Sequence, residues 1–362
     1  MITGFSRYRT RGYKLNGQIA LLLIQDGIVN GAVYALLALA IVLVFVVTRV
    51  LFLPQGEFVT YGALSLAALQ LGRTPGIVWL LGAAGLLVAL LEVVAALRSG
   101  RASRIPRILG YYVAIPAVII GLTLWLAPQK PPLAVQIALS IALVVPLGPM
   151  TWRLFFQPLA SASVLVLLIV AVAVHFALQG LGLLFFGAEG FRVAPYSEAR
   201  WDLGAITLTG QALWMVGISV ALMALLYVFF ERTLPGKALR ATAVNRVGAR
   251  LVGISATSTG TLAFTLAALI GAISGVLIIA QTTLYYDSGF SIGLKGFVGS
   301  VVGAVVSYPL AVAGALLVGL LESFGAFWQS AYKEAIVFSL LIPVLLWLSL
   351  RAHHIEEEEE EE

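Results

Sequence analysis

The chain has 362 residues, 60% of them hydrophobic and only 11% charged, with a mean hydropathy of +1.01; soluble domains carry about 25% charged residues, so a soluble enzyme is excluded. The formal charge of +5 conceals seven glutamates, Glu356 to Glu362, without which 22 basic residues face 10 acidic ones, a net of +12 over residues 1–355. Cysteine is absent and two of the three histidines are adjacent near the C-terminus, which removes disulfides, thiolate chemistry and an interior metal constellation.

In chain order, Arg7 through Lys14 forms a basic lead-in with Tyr8 and Tyr13. It reads as cytoplasmic and interfacial, not as a cleaved signal, because the apolar stretch after it is too long and lacks a small-residue cleavage site. A membrane helix needs about 20 apolar residues. Ile19–Val47 exceeds that, with Asp26 as its one charge, and predicts a long or tilted helix. Leu51–Phe58 breaks the pattern at Pro54 and Gly56, and Val59–Leu71 follows as a short apolar piece. Further spans are predicted at Ile77–Leu97, Tyr111–Leu126, Leu133–Leu147, Val164–Phe186, Ala212–Phe230, Leu262–Ala280 and Ile336–Leu350. Between the last two, glycine-rich Gly293–Phe324 is split by Tyr308-Pro309 into two short halves. The expected fold is an all-α polytopic membrane protein with about 8–10 transmembrane helices and re-entrant or broken segments. It forms a single transmembrane domain over residues 1–355, followed by a disordered acidic tail over 356–362.

Basic loops orient such a chain toward the cytoplasm. Arg98, Arg101, Arg104 and Arg107 form one such loop, and Arg232, Lys237, Arg240, Arg246 and Arg250 against Glu231 form another, four spans later. The basic N-terminus joins them on the cytoplasmic side, as does the C-terminus, only if Val59–Leu71 is re-entrant. That places Pro54–Glu57 in a protein interior, since irregular backbone at membrane depth must be covered. On the outer face the largest loop is Gly187–Gln211, where Glu189, Arg192, Glu198, Arg200 and Asp202 nearly cancel and Tyr196 and Trp201 suit the interface. It is either a simple connection or a docking surface for an external partner.

No catalytic set assembles. Gly236-Lys237 lacks the earlier glycine and the hydroxyl residue of a phosphate-binding loop, so the chain is not an ATP-hydrolysing subunit. His175, alone in an apolar span, reads as a structural hydrogen-bonding group. Intramembrane charges cost at least about 2.5–3.5 kcal/mol and must face an interior or a partner. Asp26, in the inner half, caps or pairs; Glu92 reaches the interface; Lys295 and Glu322 flank the split region as possible helix-end anchors; Glu57 lies inside the broken segment. Gly27/Gly31, Gly271/Gly275 and Gly299/Gly303, at four-residue spacing, favour close helix packing.

The loop after the sixth full span carries the strongest pattern. Pro235-Gly236 opens it and Gly253 ends it, and from Ala238 to Val252 the residues Leu239, Ala243, Val247 and Leu251 repeat at four-residue steps, with Arg240 and Arg246 off that stripe. Such a helix either lies on lipid headgroups or presents its stripe to a groove in a soluble partner.

These residues resemble the coupling segment of branched-chain amino acid permeases of ABC import systems, through Gly236-Lys237-Ala238-Leu239-Arg240-Ala241-Thr242-Ala243 and Leu251-Val252-Gly253-Ile254. Asn30 to Leu39 is similar to that family's opening span, Gln55-Gly56-Glu57-Phe58 to its break, and Gly293-Leu294-Lys295-Gly296-Phe297, Glu322-Ser323-Phe324-Gly325 and Ser330 to Ala335 to its C-terminal third. The resemblance covers residues 18–71 and 150–350; residues 99–149 add what look like two extra spans. It implies the membrane-spanning subunit of an importer for branched-chain or related amino acids, with urea, amides or sugars as alternatives. The implied partners are a second permease subunit, two ATP-binding subunits that use ATP and magnesium, and an external solute-binding protein, in the inner membrane and with no nucleic acid or cofactor in this chain. Gly236, Lys237, Arg240, Ala243, Arg246, Val247, Leu251 and Gly253 are then expected to couple to the ATPase, and Asn30, Tyr34, Gln55, Gly56, Glu57 and Lys295 to line the pathway. The rival is a stand-alone channel or secondary transporter using Glu57, Asp26 or Lys295 as ion sites. A membrane enzyme is disfavoured because no cluster of His, Asp or Ser converges.

Overall fold

The computed structural model describes residues 16–202, 204, 207–347 and 350; the basic lead-in and the acidic tail lie outside them. Among the described residues eight helices are long and apolar enough to cross a membrane. The first, α1 (Gly17–Thr48), leaves Leu21, Leu22, Ile24 and Ile28 of its early turns exposed and is enclosed by the rest of the protein from Gly31 onward. It ends where Arg49 turns left-handed, at φ 62°, and its N–H closes back on Phe45 O at 2.6 Å. The spans α3 (Ile77–Arg98), α4 (Ala102–Gln129), α5 (Leu133–Leu159), α6 (Val164–Phe186) and α7 (Gly210–Arg232) form the more exposed periphery, and α10 (Ala256–Ile279) returns to the centre. Within α4, Pro116 cannot donate to Tyr112 O, and the ladder widens there into the π-helical turn Gly110–Ala114.

Two shorter helices fill the core. The helix α2 (Gln55–Gln70) is buried over almost its whole length, and α11 (Ser288–Val302) lies against it. Gln55 Nε2 donates to Ala267 O at 2.9 Å, halfway along α10, so α2 starts at mid-depth. Gly56 and Gly289 cross there: a Cβ on Gly56 would sit 1.8 Å from Gly289 O, and one on Gly289 would sit 2.4 Å from Gly56 O. From this crossing the two half-helices diverge. α2 climbs toward the turn at Gly72, against Lys130 and near Gly76 and Phe185. α11 descends to the turn before α12 (Tyr308–Gln329), whose Tyr308 ring packs on Phe230 at the end of α7. All three glycine pairs serve close packing: Gly27 and Gly31 against α12, Gly271 and Gly275 against α2, and Gly299 and Gly303 against Ala315 and Ala311. After Gln329 the chain folds back. Gly325 approaches Lys333 and Ile336 on α13 (Lys333–Ser339), and helix resumes after Leu340.

Three expectations are corrected. Gln25 at the start of α1 donates to Thr207 O at 3.1 Å in the 187–209 loop, whereas Val47 at its end accepts from Arg246. The first described turn of α1 therefore lies on the face opposite the α7–α10 connection, and it does not share a face with that connection. Asp26 accordingly sits toward the 187–209 loop. Val59–Leu71 is not a re-entrant piece: it belongs to the regular helix α2, and residues 49–70 complete a crossing, half loop and half helix. The Arg98–Arg107 segment does share a face with the α7–α10 connection, because Glu92 near the end of α3 pairs with Arg153 of α5 at 2.6 Å and Trp152 abuts Gly260 at the start of α10. Glu92 and Arg153 are both partly exposed where they pair.

Candidate functional site

The polar residues Asp26, Asn30 and Tyr34 recur at four-residue steps on the apolar helix α1, a stripe that side chains of one helical face must share. Two clefts open along it. The deep cleft, about 430 Å³, is lined by Asn30, Tyr34, Gln281, Ser291, Lys295, Glu322 and Glu334, among others. Glu322 is its hub. Its Oε1 lies 2.5 Å from Lys295 Nζ and 4.0 Å from Lys333 Nζ, and its Oε2 accepts from the Tyr34 hydroxyl at 2.6 Å. Lys295 Nζ is also 5.6 Å from the centre of the Tyr34 ring. Mutual pairing is what lets these charges sit among apolar helices. Ser291, which donates to Glu334 at 3.0 Å, and Ser288 bring the first turn of α11 to the cleft wall. A helix start favours negative charge, and Lys295 reinforces it.

The outer cleft, about 620 Å³, lies between the first turns of α1 and the 187–209 loop, where β1 (Arg200–Asp202) and β2 (Thr207–Thr209) form a short antiparallel hairpin. Gln25, Asp26, Arg192, Glu198, Arg200 and Gln281 contribute its polar lining. Gln281 borders both clefts, so they adjoin. The loop is fastened beneath: Tyr196 donates its hydroxyl to Val276 O, and Gln211 ties Tyr196 N and Leu277 O. Burial pushes the Tyr196 hydroxyl pKa up.

Of the sequence-predicted pathway residues, Asn30, Tyr34 and Lys295 meet in the deep cleft, and Gln55, Gly56 and Glu57 do not line it. Gln55 and Gly56 build the mid-depth crossing. Glu57 is fully buried, with Oε1 3.0 Å from His175 Nδ1, and the His175 ring packs on Phe290 of α11. The histidine that had no carboxylate near it in sequence finds one across the fold. Glu322, Glu334, Lys333 and Gln281 were missing from the predicted pathway set. The four-residue polar stripe on α1 was the signal for their neighbourhood.

The predicted coupling helix is two helices. Thr233 caps α8 (Leu234–Val244) by accepting from Gly236 N at 3.1 Å, and Asn245 caps α9 (Arg246–Leu251) by accepting from Gly248 N at 2.8 Å. The break turns the expected stripe apart. Leu239 is 1% exposed, packed with Leu43, Val47 and Ala263, whereas Val244, Val247 and Leu251 are 89%, 68% and 83% exposed. Ala243 is intermediate, Lys237 is exposed, and Arg240 pairs with Glu231. Arg246 points inward: its guanidinium donates to Val47 O from Nε at 3.0 Å and again from Nη2, closing the end of α1. Desolvation, then Arg49 and Arg250, lower its pKa. Gly236 is buried against Phe229 O, 2.2 Å from where its Cβ would lie, and Gly253 holds φ +86° in the exit turn.

A family profile described as branched-chain amino acid transport system / permease component matches residues 23–345. The chain is 27% identical over 246 residues to the high-affinity branched-chain amino acid transport system permease protein BraD of Pseudomonas aeruginosa, covering 66% of this chain and 80% of that protein. It is 29% identical over 203 residues to the corresponding permease protein LivH of Escherichia coli K12, covering 54% of this chain and 65% of LivH, just under two thirds. No solved structure matches. With a profile that runs from the first polar residues of α1 to beyond α13, the chain belongs to the family of branched-chain amino acid transport system permease components.

Proposed function

We propose that this chain is the membrane-spanning permease subunit of an ATP-driven importer for branched-chain or related amino acids, working with a second permease subunit, two ATP-binding subunits and an external solute-binding protein. The observation that carries the reading is the family match across residues 23–345. The exposed apolar set Val244, Val247 and Leu251 supports it, since a short loop has little reason to leave such residues uncovered unless a partner receives them. In this reading the face of α8 and α9 is cytoplasmic, in keeping with Arg98, Arg101, Arg104 and Arg107 on the same side. The start of α1 and the 187–209 loop then face outward. Substrate moves from the outer cleft into the deep cleft, and closure of the ATP-binding partners is felt through α8 and α9 by rocking α1 and α10 about the mid-depth crossing.

The test is reconstitution of this chain with candidate permease, ATPase and binding-protein subunits, in proteoliposomes with ATP inside and labelled leucine outside. ATP-dependent uptake supports the reading. Uptake that follows an ion gradient and ignores nucleotide supports the stand-alone transporter instead, with Lys295–Glu322 or Glu57–His175 as its ion-linked groups.

A further inference from the structure

We infer that the outer cleft is a binding site for a zwitterionic amino acid, where the solute is held by both its ammonium and its carboxylate before it passes Gln281 into the deep cleft. The inference rests on the importer reading above and deepens it by locating where the amino acid is first received.

Three observations converge on that chemistry. Asp26, Arg192, Glu198 and Arg200 all line one space, yet among the described residues none of the four is in an ion pair. Charges of both signs facing one cavity without satisfying each other match a ligand that carries both signs. Next, Gln25 Oε1 and Gln281 Oε1 are buried and have no hydrogen-bond donor. The Gln25 amide is fixed in orientation because its Nε2 donates to Thr207 O at 3.1 Å, so its oxygen cannot be exchanged for a donor. An ammonium has three N–H donors and no acceptor; the lining that holds the Asp26 carboxylate also holds the side chains of these two orphan acceptors. Arg192 supplies the planar guanidinium that grips a carboxylate in a fork.

Size and apolar lining agree. The cleft, about 620 Å³, falls within the roughly 300–1,000 Å³ of small-molecule sites, and Leu22 and Val29 on α1 offer a surface for an aliphatic side chain. The four charged residues are exposed, and a neutral sugar or amide would engage neither sign of them. A simple cation leaves the arginines unanswered. The position is also right for a receiving site, because Gln281 belongs to the walls of both clefts and α1 carries its polar stripe from Asp26 to Asn30 and Tyr34 without a gap.

The test measures equilibrium binding of tritiated leucine to the assembled importer in nanodiscs without its external binding protein, alongside ATP-driven uptake with it. Wild type is expected to bind leucine saturably and to discriminate against N-acetyl-leucine, which lacks the ammonium, and leucinamide, which lacks the carboxylate. Asp26→Asn and Arg192→Gln should each weaken leucine binding about tenfold, the loss of one charge-assisted hydrogen bond. Asp26→Asn should also erase the discrimination against N-acetyl-leucine, and Arg192→Gln that against leucinamide. If wild type takes up leucine but neither variant alters leucine affinity or analogue discrimination, the cleft assignment is overturned while the importer reading stands. If the variants shift only the dependence on binding-protein concentration, the face is a docking surface and the assignment is likewise overturned. If wild type takes up no leucine with ATP, the importer reading for this substrate class fails and the site falls with it.

Discussion

Lys295 on α11 and Glu322 on α12 hold each other at 2.5 Å in the wall of the deep cleft, and the Tyr34 hydroxyl on α1 occupies the second carboxylate oxygen. Three helices are thereby joined at a single carboxylate among apolar neighbours. Removing one member of a buried ion pair strands the other charge, at a cost of about 3–5 kcal/mol. Glu322→Ala and Lys295→Ala should therefore each lower thermal stability in detergent and abolish uptake, while Lys295→Met with Glu322→Leu should recover most stability but not uptake. A double variant as unstable as the singles would show that the pair does not govern packing here. Tyr34→Phe, losing one hydrogen bond to a charged group worth about 1.5–3 kcal/mol, should be milder than either single charge deletion.

The mid-depth crossing has no room for a side chain. Gly56→Ala puts a methyl group 1.8 Å from Gly289 O, which only a backbone shift can relieve. The protein should still insert, because insertion depends on the apolar spans, but its melting temperature should fall and uptake should be lost. Gly82→Ala, with nothing nearer than 3.5 Å, is the matched control and should be silent. Equal melting temperatures for the two variants would remove the crossing from the account.

On the opposite side, buried and exposed apolar positions of α8 and α9 separate stability from coupling. Leu239→Asp buries a charge beside Leu43, Val47 and Ala263 and should prevent stable folding. Val247→Asp and Leu251→Asp sit at exposed positions and should leave stability within about 0.5 kcal/mol of wild type, yet sever uptake from ATP hydrolysis. Copurification of the ATPase and its stimulation by substrate provide the readout; full coupling in both variants would sink the docking role of this face.

Arg246 differs from the other basic residues of that loop, because it closes the end of α1 through Val47 O. Arg246→Ala should lower stability by about 1.5–3 kcal/mol, the scale of a charged hydrogen bond. Lys237→Ala, exposed and unpaired among the described residues, should cost nothing measurable in a melting scan. Indistinguishable scans would mean that Arg246 contributes no closure.

The buried pair Glu57–His175 allows a further comparison. His175→Ala leaves the Glu57 carboxylate without its partner in a fully buried setting, so it should destabilise more than Glu57→Gln, which keeps a hydrogen-bonding group beside the imidazole. The reverse order of melting temperatures would contradict the pairing.

Much of this protein is written in one dimension. Apolar length marks which segments cross the membrane, since a helix satisfies every backbone group within its own segment, and α1, α3, α6, α7 and α10 fall close to where hydropathy alone puts them. The pairs Gly27/Gly31, Gly271/Gly275 and Gly299/Gly303 announce helix contacts, because only the absence of a side chain permits such approach. The break at Pro54 and the capped loop after α7 are local effects and are equally legible. What hydropathy cannot carry is partnership. His175 and Glu57 are more than a hundred positions apart, and Lys295 meets Glu322 and Tyr34 only when α11, α12 and α1 pack, so the pairing that makes each charge tolerable exists nowhere in the local sequence. The same holds for the side of the membrane on which α1 begins: charge parity depends on whether residues 49–70 cross, and that is decided by Gln55 reaching Ala267 and Gly56 meeting Gly289 in the interior. Even the stripe of the α8–α9 segment, regular in sequence, is split by the Asn245 cap, so that tertiary packing claims Leu239 for the core and leaves Val247 and Leu251 outside.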